Sequence, residues 1–331
     1  MKKTELKNRE LKDIFVSAVV VLRPETEDIG KYIRQLFKVL NDNYTNFEII
    51  IVDNGATTKE FQVVAGLLDE LPCIRLIRLS QNFKYDTALF AGLDVSIGDY
   101  VCTLDPEIDS PSNITSLVEK NTSHDVVQGV SSVPITGVFG TQAGRKLFYW
   151  YNRKYVGIDI PLNATYHASY SRRAINSLTS LSGRHSRHVR HMARKIGYSY
   201  DIFCYNPLKN PGSQRKLNTS VIEALEIISS YSTHPLRFVT WLGVSASAIN
   251  VVYALYVLIL NLAGSSLAPG WTSTSMQLSL MFFIMFIVLT IISEYIGRIL
   301  TETHRDPQYY IADELTSTVA MANMDRKNTT R

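Results

Sequence analysis

The chain has 331 residues, 46% of them hydrophobic, and a formal net charge of +4. That charge is too mild to argue for nucleic acid, and no zinc-finger or RNA-binding signature accompanies it. Cys73, Cys102 and Cys204 lie far apart and read as buried thiols of a reducing compartment, not as a disulfide framework.

The opening "MKKTELKNRELKD" is hydrophilic and lacks an apolar h-region, so no secretory signal peptide is expected. "FVSAVVVL" (15–22) is a β-branched run that predicts a strand, and Ile29, Ile33, Leu36, Phe37 and Leu40 follow at helical spacing. "FEIIIVD" (47–53) and "IRLIRLS" (74–80) predict two more strands around a helical segment near 59–70. "TALFAGLDVS" (87–96) predicts a helix and "YVCTLD" (100–105) a fourth strand. Alternation of fully apolar strands with helices predicts an α/β domain, a parallel sheet covered on both faces.

Ligands of such sheets bind beyond the carboxyl ends of the strands, and Asp53 and Asp105 both fall there. One acid at that edge reads as a helix cap or a turn residue. Two strand ends at once favour a shared site. The first strand runs into "RPETED", without the G-x-G-x-x-G that brings backbone amides against a pyrophosphate, and this excludes a dehydrogenase. A bound diphosphate would need another partner, and a hard divalent cation on carboxylate oxygens is the obvious one.

After residue 125 the pattern loosens into the Gly-rich, aromatic "GVFGTQAGRKLFYWYNRKYVG". "SGRHSRHVRHMARKIG" (182–197) spaces His185, His188 and His191 three apart. The interleaved arginines oppose a bound metal, so a cationic helical face is expected there, suited to anionic headgroups. In "NTSVIEALEIISSYSTHPLRF" (218–238), Ser220 and Glu223 form a capping box. The helix presents an apolar face, either to the membrane surface or to the soluble domain.

From Phe238 to Ser293 there is no charged residue. Two apolar stretches, 238–262 and 276–300, each match the roughly 20 residues that cross a hydrocarbon core of ~30 Å. Arg237 precedes the first, Arg298 and Arg305 attend the end of the second, and the linker "AGSSLAPGWTSTS" carries no Lys or Arg. The positive-inside rule then puts both ends of a transmembrane hairpin in the cytoplasm, with Trp241 and Trp271 at its interfaces. The expected organisation is a cytoplasmic domain (1–217), a juxtamembrane helix (218–237), the hairpin (238–300) and a cytoplasmic tail (301–331).

Taken together these segments resemble membrane-anchored family 2 glycosyltransferases of the polyprenyl-phosphate type, akin to dolichyl-phosphate mannose synthase and the bactoprenol glucosyltransferases. "LSQNFKYDTALFAGLDVSIGDYVCTLDPEIDSP" stands where the family shows LSRNFG…A…AGLD…GD…DADLQDPP, and "EIIIVDNGAT" where it shows EIIVVDDGSTD. "THPLRF" and "SEYIGRI…HRDPQYYIADE" match the family's approach to the first span and its ending. The order of the motifs is specific; each alone is weak.

The resemblance implies a GT-A type Rossmann-like fold in a bacterial inner-membrane enzyme of cell-envelope polysaccharide, with the catalytic domain cytoplasmic. It implies a UDP- or GDP-linked sugar donor and a polyprenyl phosphate acceptor such as undecaprenyl phosphate, among membrane lipids. Glu25, Asp53, Asn82 and Asp105 would contact the donor. Asp105 and Glu107 would be the catalytic acids that hold Mg²⁺ or Mn²⁺, leaving Asp109 as a turn residue. Lys209, Gly212 and Arg215, in "KNPGSQR", would close a basic loop over phosphates, and Arg237 would face the lipid phosphate. Such hairpins can pack together, which leaves a homo-oligomer open.

The chain departs from the pattern at Val21, Asn54, Lys84 and Glu107, and most in "PLNATYHASYSRR" (161–173), where Asn163 and Tyr166 replace family acids. A sugar hydroxyl needs a base as it attacks. A phosphate monoester, with a second pKa of about 6, is already ionised and needs none. The expected reaction is therefore single displacement with inversion onto a lipid phosphate. Two alternatives stand beside it: a decayed transferase kept as a membrane scaffold or partner, and a transferase whose acceptor is a lipid-linked sugar, for which Asp159 is the nearest upstream acid.

Overall fold

The computed structural model describes residues 11–24, 26–133, 159–180, 188–210 and 309–317, with isolated positions from 150 to 154 and from 241 to 299. The chain divides into two compact units, Met1–Ala224 with Pro307–Arg331, and Leu225–Asp306.

In the first unit, β1 (Lys12–Leu22), β2 (Tyr44–Asp53), β3 (Ile74–Leu79) and β4 (Tyr100–Leu104) alternate with α1 (Ile29–Asn41), α2 (Thr58–Glu70) and α3 (Tyr85–Val95). The predicted alternation is thus observed. α4 (Asn113–Asn121) leads to β5 (Val126–Ser131); then follow β6 (Ala164–Ser171), α5 (Arg172–Ser180), α6 (Val189–Lys195), β7 (Tyr200–Tyr205) and β8 (Ile311–Thr316). The strands of the described residues form one sheet in the order β7-β5-β6-β4-β1-β2-β3-β8.

Successive side chains of a strand point to opposite faces, and β1 divides its residues accordingly. Val16, Ala18, Val20 and Leu22 join the core under α1 and α2, while Val19 and Val21 join the core under α3. Both faces are covered, which is why the strands read as unbroken apolar runs. On the second face a Cβ at Gly92 of α3 would come within 2.4 Å of Val19 Cγ1, so only glycine allows α3 this close to β1.

The sheet is mixed, and here the expectation of a parallel sheet needs correction. β1 pairs in parallel with β2 and β4, and β2 with β3. β6, however, runs antiparallel between β4 and β5, and β8 runs antiparallel along β3. Parallel neighbours need a crossover connection that puts the chain back at the same end; β6 and β8 instead enter from the opposite end. Residues 311–316, read as part of a tail, therefore close one edge of the sheet. Cys73 and Cys102 are buried as expected, but Cys204 is exposed, because β7 is the other edge strand.

No helix among the described residues is long and apolar enough to cross a membrane. The span expected at 238–262 lies almost wholly outside those residues and the one at 276–300 is described only at scattered positions, while the juxtamembrane helix, Glu25, Gly212, Arg215 and Arg237 lie outside them. The positions described in the second unit, among them Trp241, Leu278, Leu280, Phe282, Met285, Leu289 and Ile296, are helical. All seven of these apolar side chains are exposed.

Candidate active site

β4 ends at Leu104, and Asp105 turns the chain back. Asp109 Oδ2 accepts the Asp105 backbone N–H at 2.8 Å, and the Asp109 N–H reaches the Asp105 carbonyl at 2.8 Å. Between them, the Glu107 N–H bonds Asp105 Oδ1 at 3.1 Å. This tight turn sets two carboxylates two residues apart on the carboxyl edge of the sheet.

Each carboxylate meets a cation. Arg23, the first residue after β1, places Nη2 at 3.0 Å from both oxygens of Asp105, and its guanidinium lies 5.1 Å from the centre of the Tyr85 ring. Lys209 Nζ reaches Glu107 Oε2 at 2.5 Å and Glu27 Oε2 at 3.0 Å. The segment that carries Lys209 is tied to the same turn, since the Leu208 N–H bonds the Ile108 carbonyl at 2.7 Å. The Glu27 N–H completes the cluster on Glu107 Oε1 at 2.7 Å.

Behind the turn lies a buried polar layer. Asp109 is fully buried. Its Oδ1 accepts the Tyr205 hydroxyl, which also lies 2.9 Å from Thr165 Oγ1. The Tyr32 hydroxyl donates to the Asp109 carbonyl at 2.9 Å. His167, also fully buried, donates from Nδ1 to the Thr103 carbonyl at 2.8 Å, and this nitrogen lies 4.0 Å from Asp109 Oδ2. Asp109 does shape a turn, as expected, but from inside the protein and not as a solvated residue.

The electrostatics follow from the crowding. Burial pushes Asp105 up to about 6; Arg23 opposes this, and the neighbouring Asp109 adds to it. Burial raises Asp109 as well. Glu107 goes the other way: burial would raise it, but Lys209 and the Glu27 amide hold it below the usual range. Lys209 is pushed up to about 12 by Glu107 and Glu27.

Asp105, Glu107 and Lys209 are thus brought together. Asp53 is buried at the end of β2, with Oδ1 accepting the Ala56 N–H at 2.8 Å and Oδ2 3.4 Å from Arg78. It lies two strands from β4 across β1, roughly 10 Å at ordinary strand spacing. Exposed Asn82 packs on the turn after Asp53, where a Cβ at Gly55 (φ 78°) would meet Asn82 Cβ at 3.1 Å. Asn54 has a definite task there. Its amide donates to the Phe83 carbonyl at 2.9 Å and accepts the Phe83 N–H at 2.8 Å, an exchange that an ionised aspartate cannot make, having no donor.

The region of lost acids is built differently from the expectation. Tyr166 gives its hydroxyl to Asp86 at 2.6 Å, and Arg190 covers its ring at 4.3 Å. His188 Nδ1 lies 3.4 Å from Asp86. His188 and His191 are buried, so they do not form the solvated cationic face expected for this segment; His185 lies outside the described residues. Asp159 is exposed, 3.9 Å from Arg153. Sequence reasoning passed over Arg23, Tyr85 and Tyr205. Arg23 could have been found from its place directly after the first strand, at the edge where Asp53 and Asp105 were sought.

Among the described residues no group of three or more His, Cys, Asp or Glu side chains is gathered for a metal, so Asp105 and Glu107 would supply only part of a divalent cation's shell. Hard oxygens of two carboxylates in one turn are the ligands that Mg²⁺ and Mn²⁺ prefer.

The model of the family described as glycosyl transferase family 2 matches residues 17–179. An uncharacterized glycosyltransferase of Synechocystis is 26% identical over 91% of this chain and 95% of its own length. A bactoprenol glucosyl transferase of Shigella phage SfV is 25% identical over 90% of this chain and 98% of its own. Among solved structures, a Pyrobaculum calidifontis mannosyltransferase in complex with GDP-Man and Mn²⁺ is similar at a TM-score of 0.48 and 12% identity, over 84% of this chain and 88% of that one.

Proposed function

Since the chain is a family 2 glycosyltransferase, we propose that it moves a sugar from a nucleotide-sugar to a polyprenyl phosphate at the cytoplasmic face of the membrane, by a metal-assisted inverting displacement. The observation that carries this is the cluster at the end of β4, where Asp105 and Glu107 share one turn with Arg23 and Lys209 beside them. A divalent cation on the two carboxylates would supply positive charge to the departing nucleotide diphosphate. Lys209 and Arg23 would add donors to the same oxygens, and charge placed in advance where charge develops is the largest common source of rate. Asp53 and Asn82, on the neighbouring strand ends, would hold the nucleoside.

Two observations support a phosphate acceptor. The Tyr166 hydroxyl, at the position of a family acid, is already bonded to Asp86, so it offers no base for a sugar hydroxyl. The relatives named bactoprenol glucosyl transferases span nearly the whole chain, hairpin segment included. The membrane hairpin is supported by the uncharged run from Phe238 to Ser293 and by the exposed apolar side chains on its helical positions.

The test is transfer by detergent-purified protein from a panel of UDP- and GDP-sugars to undecaprenyl phosphate. A glycolipid that forms with Mn²⁺ and is lost with EDTA and with Asp105→Asn is the expected result, with inverted anomeric configuration by NMR. No product from any donor, or a retained configuration, would count against the proposal.

A further inference from the structure

We infer that Arg23 and Lys209 are built-in competitors of the divalent cation, holding the carboxylate oxygens it would need, so that metal entry and release of these two side chains toward a diphosphate are one event. The inference rests on the metal reading of Asp105 and Glu107 given above.

The hydrogen bonds of the two acids leave no oxygen unclaimed. Asp105 Oδ1 accepts from Arg23 and from the Glu107 N–H, and Oδ2 accepts from Arg23. Glu107 Oε1 accepts from the Glu27 N–H, and Oε2 from Lys209. A small divalent ion binds carboxylate oxygen at about 2.0–2.1 Å. Each oxygen keeps lone-pair capacity, but an ion on Asp105 would sit beside a guanidinium 3.0 Å from both oxygens, and like charges so close in a buried site repel strongly. Each cation therefore weakens the hold of the other.

Both side chains have somewhere to go. Arg23 keeps the Tyr85 ring under its guanidinium, and its backbone N–H stays on Thr26 Oγ1 at 3.0 Å. Lys209 keeps Glu27 at 3.0 Å. Neither is stranded when its carboxylate is taken, so exchange is local and needs no movement of the sheet. Charge balance then draws in an anion. Arg23 and Lys209 would each yield a carboxylate to the divalent ion, and an anion of matching charge restores a partner to both. A freed guanidinium and ammonium beside the metal are suited to diphosphate oxygens, the guanidinium by paired hydrogen bonds. Metal alone should therefore bind weakly, and metal with diphosphate tightly.

Mn²⁺ binding to the detergent-purified full chain, followed by electron paramagnetic resonance with and without inorganic pyrophosphate, tests this without any transfer reaction. Arg23→Ala is expected to bind Mn²⁺ alone about tenfold tighter than the native chain, and Lys209→Ala a few-fold tighter, because each removes a repelling charge. Pyrophosphate should tighten Mn²⁺ strongly in the native chain and much less in Arg23→Ala. Arg23→Gln keeps most of the stem over Tyr85 and serves where the alanine variant does not fold. Unchanged or weaker Mn²⁺ binding in the Arg23 variants, with binding lost in Asp105→Asn, overturns this inference and leaves the metal reading intact. Native-like Mn²⁺ binding in Asp105→Asn, or none in any variant, overturns both.

Discussion

Two guanidinium–carboxylate pairs of equal burial sit in one sheet, and they are built for different ends. Arg75 and Glu48 meet toward the amino ends of the strands; Arg23 and Asp105 meet at the carboxyl edge. In each pair the arginine side chain is 22% exposed and the acid 6%. Glu48 is surrounded by neutral donors, the Ser17 hydroxyl at 2.5 Å and the Ile97 N–H at 2.8 Å. Arg75 also bonds the Val95 carbonyl and Glu314. Burial alone would lower its pKa, yet Glu314 and Glu48 raise it. Asp105 has the opposite surroundings: two further acids, Asp109 and Glu107, in the same turn, and a pKa pushed up to about 6. Burial does not separate a structural pair from a functional one. The charge of the neighbours does, because a carboxylate crowded by its own kind gains by changing partner.

The comparison breaks most sharply at its two acids. Asp105→Asn should cut transfer by about 10²–10³-fold, the usual loss when a charge-stabilising group is removed, while the melting temperature in detergent stays near native because repulsion from Asp109 is relieved. Similar loss of stability and activity would put Asp105 with the structural pair. Glu48→Ala should do the reverse. It leaves the Ser17 hydroxyl and the Ile97 N–H without their acceptor and takes one of three from Arg75, at a cost of roughly 3 kcal/mol. Thermal melting should fall clearly while activity per folded molecule survives.

A smaller effect sharpens the carboxyl edge. Asn54→Asp restores the residue the family pattern has, but it sets a carboxylate against the Phe83 carbonyl that the amide now serves. The expected cost is about 1–3 kcal/mol, that of leaving a buried acceptor unpaired. Loss of donor binding should accompany it, since Asn82 and Lys84 flank Phe83. An unchanged melt with improved donor binding would make Asn54 a lost ligand and not a clamp.

These contrasts also show what the sequence could carry. β1 to β4 were legible because strands covered on both faces are apolar throughout, and Asp53 and Asp105 because they end such runs. β6 was not. Thr165, His167 and Ser169 are buried there, so a central strand looks polar, and its partners, such as Gln128 for the Thr165 carbonyl, are far off in sequence. β8 was hidden for a different reason: it finds β3 from far along the chain, Glu314 lying 239 residues beyond Arg75, and no local pattern encodes that pairing. Asp109 read as a turn residue because its spacing from Asp105 says nothing of Tyr205 closing over it. The His-Arg segment misled through composition, since Asp86, which pairs with His188, and Tyr166, which lies under Arg190, belong to other elements.

His191, in α6, and Asp105 oppose each other in pH, and this is the finest test. His191 is buried, and burial first, then Arg190 and His188, push it down to about 3, with Asp86 opposing. Below the ordinary histidine value of about 6.5 the unfolded chain takes up a proton that the folded chain refuses. The stability His191 allows is thus complete above that value and falls with pH toward 3. Asp105 has the other sign. Its folded value near 6 lies above the ordinary value of about 3.9, so between these the folded state binds the extra proton and gains stability as pH falls. Asp109, raised as well, adds to this. In EDTA the two slopes oppose each other between about pH 6 and 4, each worth up to about 1.4 kcal/mol per pH unit. His191→Leu should then lose less melting temperature on acidification through that window than the native chain, and Asp105→Asn more. Parallel pH profiles in the two variants would mean that the crowding at the carboxyl edge does not destabilise the charged form of Asp105.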